Sequence, residues 1–221
     1  MWKIKQRALL ALIFSITMTM SVGCAGRKKL VEENNSLKNE IARIDEESQI
    51  KKREWEKEKS QSNQEMQNLE NKINQIREEK KFTPEDITLR KEDEKLIVSL
   101  SNQIVFEKGK YAIRDEMKPV LKVVSEYLRK YPERLILIQG HACTIPINNN
   151  LFPTNWELSA RRATQILRYF TEDENLSAGQ FAAIGYGEYH PRFSNATEEE
   201  RSKNRRVEIA ILSEKLTGQL M

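Results

Sequence analysis

The chain has 221 residues, 32% of them charged and only 38% hydrophobic, a balance too polar for one globule of this length and expected of one ordinary domain plus solvated material. A net charge of +4, with Lys and Arg interleaved among Asp and Glu, offers no strongly basic face and argues against nucleic-acid binding. The two cysteines, Cys24 and Cys143, form no Cys-x-x-Cys pair, which argues against a structural zinc site, and no motif calls for a cofactor.

Lys3, Lys5 and Arg7 precede an apolar run from Ala8 to Met20 and the small residues Ser21, Val22 and Gly23. This pattern reads as a secretory signal peptide over residues 1–23. The run is shorter than the roughly 20 apolar residues that span a bilayer. Ser21-Val22-Gly23-Cys24 resembles a bacterial lipobox, with Ser21 departing from the usual Leu. The resemblance implies a diacylglycerol on the Cys24 thiol and a lipid anchor, since several acyl chains hold a protein to a membrane firmly where one does not. An uncleaved signal anchor and ordinary cleavage are the alternatives.

Residues 27–81 contain neither Pro nor Gly and are dominated by good or neutral helix formers. Leu30, Leu37, Ile41, Ile44, Trp55, Met66, Leu69, Ile73 and Ile76 recur at heptad-like spacing, the signature of a coiled-coil seam over residues 24–82. Ser48, Lys51, Glu58 and Ser62 weaken its middle, and the phase of the apolar positions differs between the two ends, as a four-residue stutter would produce. An oligomerising stalk and a single solvated helix both fit. A continuous helix here would reach about 80 Å. Pro84 ends it, and residues 83–94 read as a linker.

The remainder, residues 95–213 with a tail over 214–221, reads as a domain. Lys95–Leu100 suits a strand, and Ile104–Phe106 either extends the sheet or begins a loop. A helix follows from Asp115 as N-cap, with Met117, Val120, Leu121, Val124, Tyr127 and Leu128 on one face. Leu135–Ile138 is a continuous apolar run suited to a buried strand. Thr154 and Glu157 form a capping box ahead of Ala163, Ile166, Leu167 and Phe170. Phe181–Ile184 and the alternating Val207, Ile209 and Ile211 complete the strands. The expected fold is α/β: a sandwich with a mixed sheet and helices mainly on one face, preceded by the long N-terminal helix.

Three segments of this domain resemble the OmpA-like family, shared by OmpA C-terminal domains, Pal lipoproteins and MotB. They are Ile138-Gln139-Gly140-His141, then Asn155-Trp156-Glu157-Leu158-Ser159-Ala160-Arg161-Arg162-Ala163, and finally Gly185-Tyr186-Gly187-Glu188 with Pro191 and Asn204-Arg205-Arg206-Val207-Glu208-Ile209. The stretch Phe152–Ser159 is closest to MotB-type members. The resemblance implies peptidoglycan binding, through the diaminopimelate of the stem peptide. An Asp receives its ammonium and an Arg its carboxylate, a pairing suited to a zwitterion. Arg162 matches that Arg. The Asp position holds Cys143, a poor ammonium acceptor. Loss of one charge-assisted hydrogen bond is expected to weaken binding about tenfold to a hundredfold. The candidate ligand-binding residues are Arg162, Asn155, Cys143, His141, Asn204, Arg205 and Arg206.

The expected protein is therefore a lipid-anchored envelope protein on the periplasmic face of a membrane, the outer one being favoured, that tethers it to the cell wall. The alternative is a coiled-coil scaffold whose domain binds a protein partner instead. An enzyme built on His141 and Cys143 would need a third, orienting group, and none is visible. An ion-carrying MotB-type subunit needs an acidic residue in its membrane segment, and Ala8–Val22 has none.

Overall fold

The computed structural model describes residues 24–92, 95–107, 109–213 and 216–218, and side chains from residue 29 onward apart from Glu58. The expected signal peptide and the Cys24 thiol lie outside the described part. Among the described residues no helix is long and apolar enough to cross a membrane.

The described chain divides into two units, with the division between Asn63 and Gln64. The first contains most of helix α1 (Cys24–Lys80). Its seam positions Leu37, Ile41, Ile44 and Trp55 are 43–58% exposed, and Lys59 Nζ sits 4.7 Å from the Trp55 ring centroid.

The second unit begins inside the same helix. Leu69 and Ile73 are buried in its core, with Met66 and Ile76 packed against it. Tyr131 hydrogen-bonds to Glu65, and Lys72 pairs with Glu126 at 2.8 Å. The change of apolar phase along α1 thus has a physical cause other than a stutter: the later series faces the chain's own core. A boundary expected near residue 82 falls here at 63.

Five strands form one sheet in the order β1-β2-β5-β3-β4: β1 (Ile87–Glu92), β2 (Lys95–Ser101), β3 (Ile136–Gly140), β4 (Phe181–Gly185) and β5 (Arg206–Leu212). Only β3 and β4 run parallel; the other neighbours are antiparallel. The segment read as a linker contains β1, whose Ile87 and Leu89 face the core.

Strand alternation places Val98, Leu100, Ile136, Ile138, Val207, Ile209 and Ile211 on one face. They pack with the helices α3 (Lys118–Leu128) and α4 (Asn155–Arg168) in a mixed-sheet α/β sandwich. Residues 102–105 form a short helix, α2 (Asn102–Val105), capped by Ser101, where a strand extension or a loop was expected. Asp115 does not cap α3. A 3-10 turn (Asp115–Met117) precedes that helix, and Pro119 sits in its first turn, where a missing N–H costs nothing. A last helix, α5 (Glu198–Asn204), carries its own capping box of Thr197 and Glu200.

The opposite face of the sheet carries a buried ion cluster. Glu208, with its side chain 5% exposed, accepts from Arg206 Nε at 2.6 Å and from Arg90 Nη2 at 2.8 Å. Arg192 Nη1 lies 3.9 Å away. Burial alone would push the Glu208 carboxyl up; the Arg90 hydrogen bond and the Arg206 charge outweigh it and hold it at about 2.

Candidate functional site

The start of α4 is set by its cap. Thr154 Oγ1 accepts from Trp156 N at 3.1 Å, while Glu157 Oε2 accepts from Thr154 N at 2.8 Å. Asn155, Leu158 and Arg162 follow at helical spacing, so all three fall on one side of the helix. The end of β3 lies directly under this turn. A Cβ on Gly140 would stand 2.1 Å from the Ser159 carbonyl oxygen, so only glycine permits the approach. Backbone bonds from Ala142 N to Gly187 O and from Tyr186 N to Gly140 O then fix the loops after β3 and β4.

Between the loop after β3, α2, α4 and α5 opens a cleft of about 680 Å3. Phe106, Arg114, Cys143, Asn155, Arg162, Glu198 and Arg205 are among its lining residues, with Ile145, Pro146 and Ile147 on the loop before α4. Arg162 is only 6% exposed. Its Nε donates to Lys110 O at 3.1 Å, and its guanidinium lies 5.1 Å from the Phe106 ring centroid. Among the described residues no carboxylate forms an ion pair with it. Burial, reinforced by the charge of Arg205, lowers its pKa to about 10. A buried cation without a counter-ion is costly, and an anionic ligand entering the cleft would offset that cost.

Arg205 is differently placed. Its Nη2 pairs with Glu198 Oε1 at 2.7 Å, and its Nη1 donates to Cys143 Sγ at 3.4 Å. Cys143 is buried, and its carbonyl accepts from Asn155 Nδ2 at 3.1 Å. The same amide nitrogen donates to Ile145 O at 3.1 Å and to Glu188 Oε2 at 2.6 Å, so Asn155 shapes the cleft loop. Among the described residues no cluster of His, Cys, Asp or Glu could hold a metal ion.

Arg162, Asn155, Cys143 and Arg205 therefore meet at the cleft, while His141, Asn204 and Arg206 do not line it. Asn204 is fully buried and ties the preceding loop, accepting from Arg192 N and Phe193 N and donating to Phe193 O. Arg206 is spent on Glu208. His141 is 4% exposed and stacked on Tyr186 at 5.1 Å, and among the described residues neither ring nitrogen has a hydrogen-bond partner. Phe106, Arg114 and Glu198 were not anticipated. They come from segments with no motif, and only the folded chain brings them to Arg162.

The state of His141 has a consequence for stability. Burial, then the Arg206 charge, pulls its pKa down to about 4 from 6.5. Between those values the unfolded chain binds a proton that the folded chain does not, so stability falls as pH drops through that window. The expected loss is about 3 kcal/mol, complete only below pH 4. Urea unfolding at pH 6.5 and 4.5 should show roughly 2 kcal/mol of it, and His141→Phe, which keeps a ring on Tyr186, should flatten that slope. An unchanged slope would mean that carboxylates alone set the acid sensitivity.

Known proteins resemble this region. The family described as the OmpA family matches residues 105–205. Motility protein B of Bacillus subtilis is 38% identical over 154 residues, covering 70% of this chain and 59% of its own. The cell wall anchor of the T6SS from Pseudomonas aeruginosa superposes with a TM-score of 0.56 at 27% identity, covering 63% of this chain and 95% of that one. The periplasmic domain of Helicobacter pylori MotB gives 0.52 at 25% identity, covering 61% and 86%. The chain spans a little over half the length of the first curated relatives it matches.

Proposed function

Because residues 105–205 match the OmpA family, we propose that the chain binds peptidoglycan non-covalently and tethers a membrane to the cell wall. The observation that carries this reading is the Arg162 guanidinium, buried in the wall of an open cleft with no carboxylate partner among the described residues. It takes the acid end of the stem-peptide diaminopimelate. Asn155 and Arg205 hold the loops around it, and Cys143 stands where an ammonium acceptor would serve. The anchor is a lipid on Cys24, on the periplasmic face of the membrane, most simply the outer one. The exposed seam of α1 is where a second copy of the helix would pack.

The test is sedimentation of the full chain with purified sacculi. Binding is expected to be weak, to drop about tenfold to a hundredfold in Arg162→Ala, and to strengthen in Cys143→Asp, which restores an anion beside Arg205. The scaffold reading, in which α1 oligomerises and the domain holds a protein, makes the opposite forecast. Wild type would then stay in the supernatant and Cys143→Asp would bring no gain.

A further inference from the structure

Beside the cleft, the surface carries two aromatic side chains that the core does not use. Trp156 and Tyr189 are 46% and 62% exposed, yet they stack on each other with centroids 5.1 Å apart and planes 20° from parallel. Both are held by rigid elements. Trp156 stands on the capped first turn of α4. Tyr189 closes a turn in which its N–H donates to Tyr186 O at 3.2 Å and Gly187 takes φ +56°. A Cβ on Gly187 would come within 3.4 Å of the Trp156 ring and 3.5 Å of the Tyr189 ring, in a backbone conformation that side chains rarely adopt. Gly187 N donates to Ser159 Oγ at 3.0 Å, which ties the turn to the helix.

Neither ring lines the cleft, but the turn that carries Tyr189 is bonded to residues that do: Gly187 O accepts from Ala142 N at 2.7 Å, and Glu188 Oε2 accepts from Asn155 Nδ2 at 2.6 Å. Among the described residues Glu188 forms no ion pair, so beyond the oxygen that accepts from Asn155 its carboxylate can accept hydroxyl or amide hydrogens in the same turn as Tyr189.

We propose that the Trp156–Tyr189 shelf is a sugar subsite, which takes the pyranose rings of an N-acetylhexosamine strand while the cleft takes the peptide attached to it. An aromatic face carries negative charge density and a pyranose presents a flat, weakly positive C–H face, so the two stack; the ring substituents point outward, toward groups such as Glu188. The inference rests on the proposed wall-binding function, because only there are a peptide anion and a sugar joined at short range. Preordered rings also lose little side-chain entropy on binding.

Sedimentation with sacculi and direct titration with peptide-free N-acetylglucosamine tetrasaccharide, read by saturation-transfer NMR on the full chain, test it together. Trp156→Ala and Tyr189→Ala are each expected to weaken sedimentation roughly fivefold to tenfold. They should also abolish saturation transfer from the tetrasaccharide. Tyr189→Phe, which keeps the ring, should behave as wild type, and Arg162→Ala should lose sedimentation but keep the tetrasaccharide signal. Thermal melting checks that each variant is folded, and Tyr189, exposed in a turn, can be truncated without opening the core. If the two alanine variants sediment like wild type while Arg162→Ala does not, the shelf is no subsite and the wall-binding function stands. If wild type does not sediment at all, that function fails, and the tetrasaccharide titration decides the shelf alone: no transfer overturns it, and transfer lost in Trp156→Ala upholds it.

Discussion

Glu208→Ala is expected to destabilise the domain by about 3 to 5 kcal/mol. The carboxylate is the buried anion that Arg206 and Arg90 share, at 2.6 and 2.8 Å. Removing it leaves the Arg206 guanidinium, 6% exposed, enclosed without a counter-charge, while Arg90 keeps only the more exposed Glu92. For a domain of this size the loss corresponds to a fall in Tm of roughly 10 °C. The pH dependence carries the same signature. With the folded carboxyl at about 2 and the ordinary value at 4.5, the contribution is fully present above 4.5 and is lost as pH falls through 2. Wild type and Glu208→Ala should therefore converge in stability as the solution is acidified below pH 3. Chemical denaturation at pH 7 and pH 2.5 checks both statements, and a variant as stable as wild type at neutral pH would show the cluster to be a bystander.

The second large effect belongs to Gly140→Ala. The added methyl would meet the Ser159 carbonyl oxygen at 2.1 Å, with the carbonyl carbon at 2.8 Å behind it. These are backbone atoms of α4, which cannot rotate aside as a side-chain tip would. The helix must move away from β3 by more than an ångström, at an expected cost of about 3 kcal/mol or more. The displacement also carries Asn155 and Arg162 away from the loop of Cys143. Gly140→Ala should thus lose sacculus binding even at a temperature where it remains folded, whereas Glu208→Ala, acting on the far face of the sheet, should lose stability and keep binding. Measuring Tm and sedimentation on both variants separates the two. Retained binding in folded Gly140→Ala would show that the cleft tolerates a shifted helix.

Much of the domain was readable because its periodicities are undisturbed. The capping box at Thr154 and Glu157 and the alternation of Val207, Ile209 and Ile211 each report a single strong preference, and the sheet and α4 follow. β1 escaped notice because an edge strand needs only one buried face. Ile87 and Leu89 supply it amid Arg90, Lys91 and Glu92, which read as linker chemistry. The phase change in α1 was visible, but heptad spacing does not say whether a seam meets another helix or the chain's own core.

The site was half legible for a similar reason. Asn155 and Arg162 share a helix side by spacing alone. Arg205 and Arg206 are neighbours in sequence, yet one reaches the cleft and the other the ion cluster, and a motif does not tell which way the chain turns between α5 and β5. The lack of a counter-ion for Arg162 was not readable either, since it depends on Glu107 pairing with Lys110 and Glu198 with Arg205.

The pairing of β1 along the whole of β2 bears on how the protein fails. Residues 95–101, Lys-Leu-Ile-Val-Ser-Leu-Ser, are shielded on one side by β5 and on the other by β1 alone. Proteolysis or fraying that strips β1 would leave a ribbon of unsatisfied amides with Lys95 as its one charge, the kind of template on which chains stack into insoluble aggregates. Arg77 resists that loss: its Nη2 donates to Ile87 O at 2.6 Å, so the end of the helix pins the first residue of the guarding strand. Cutting the chain between the helix and β1 should therefore cost solubility before it costs the fold.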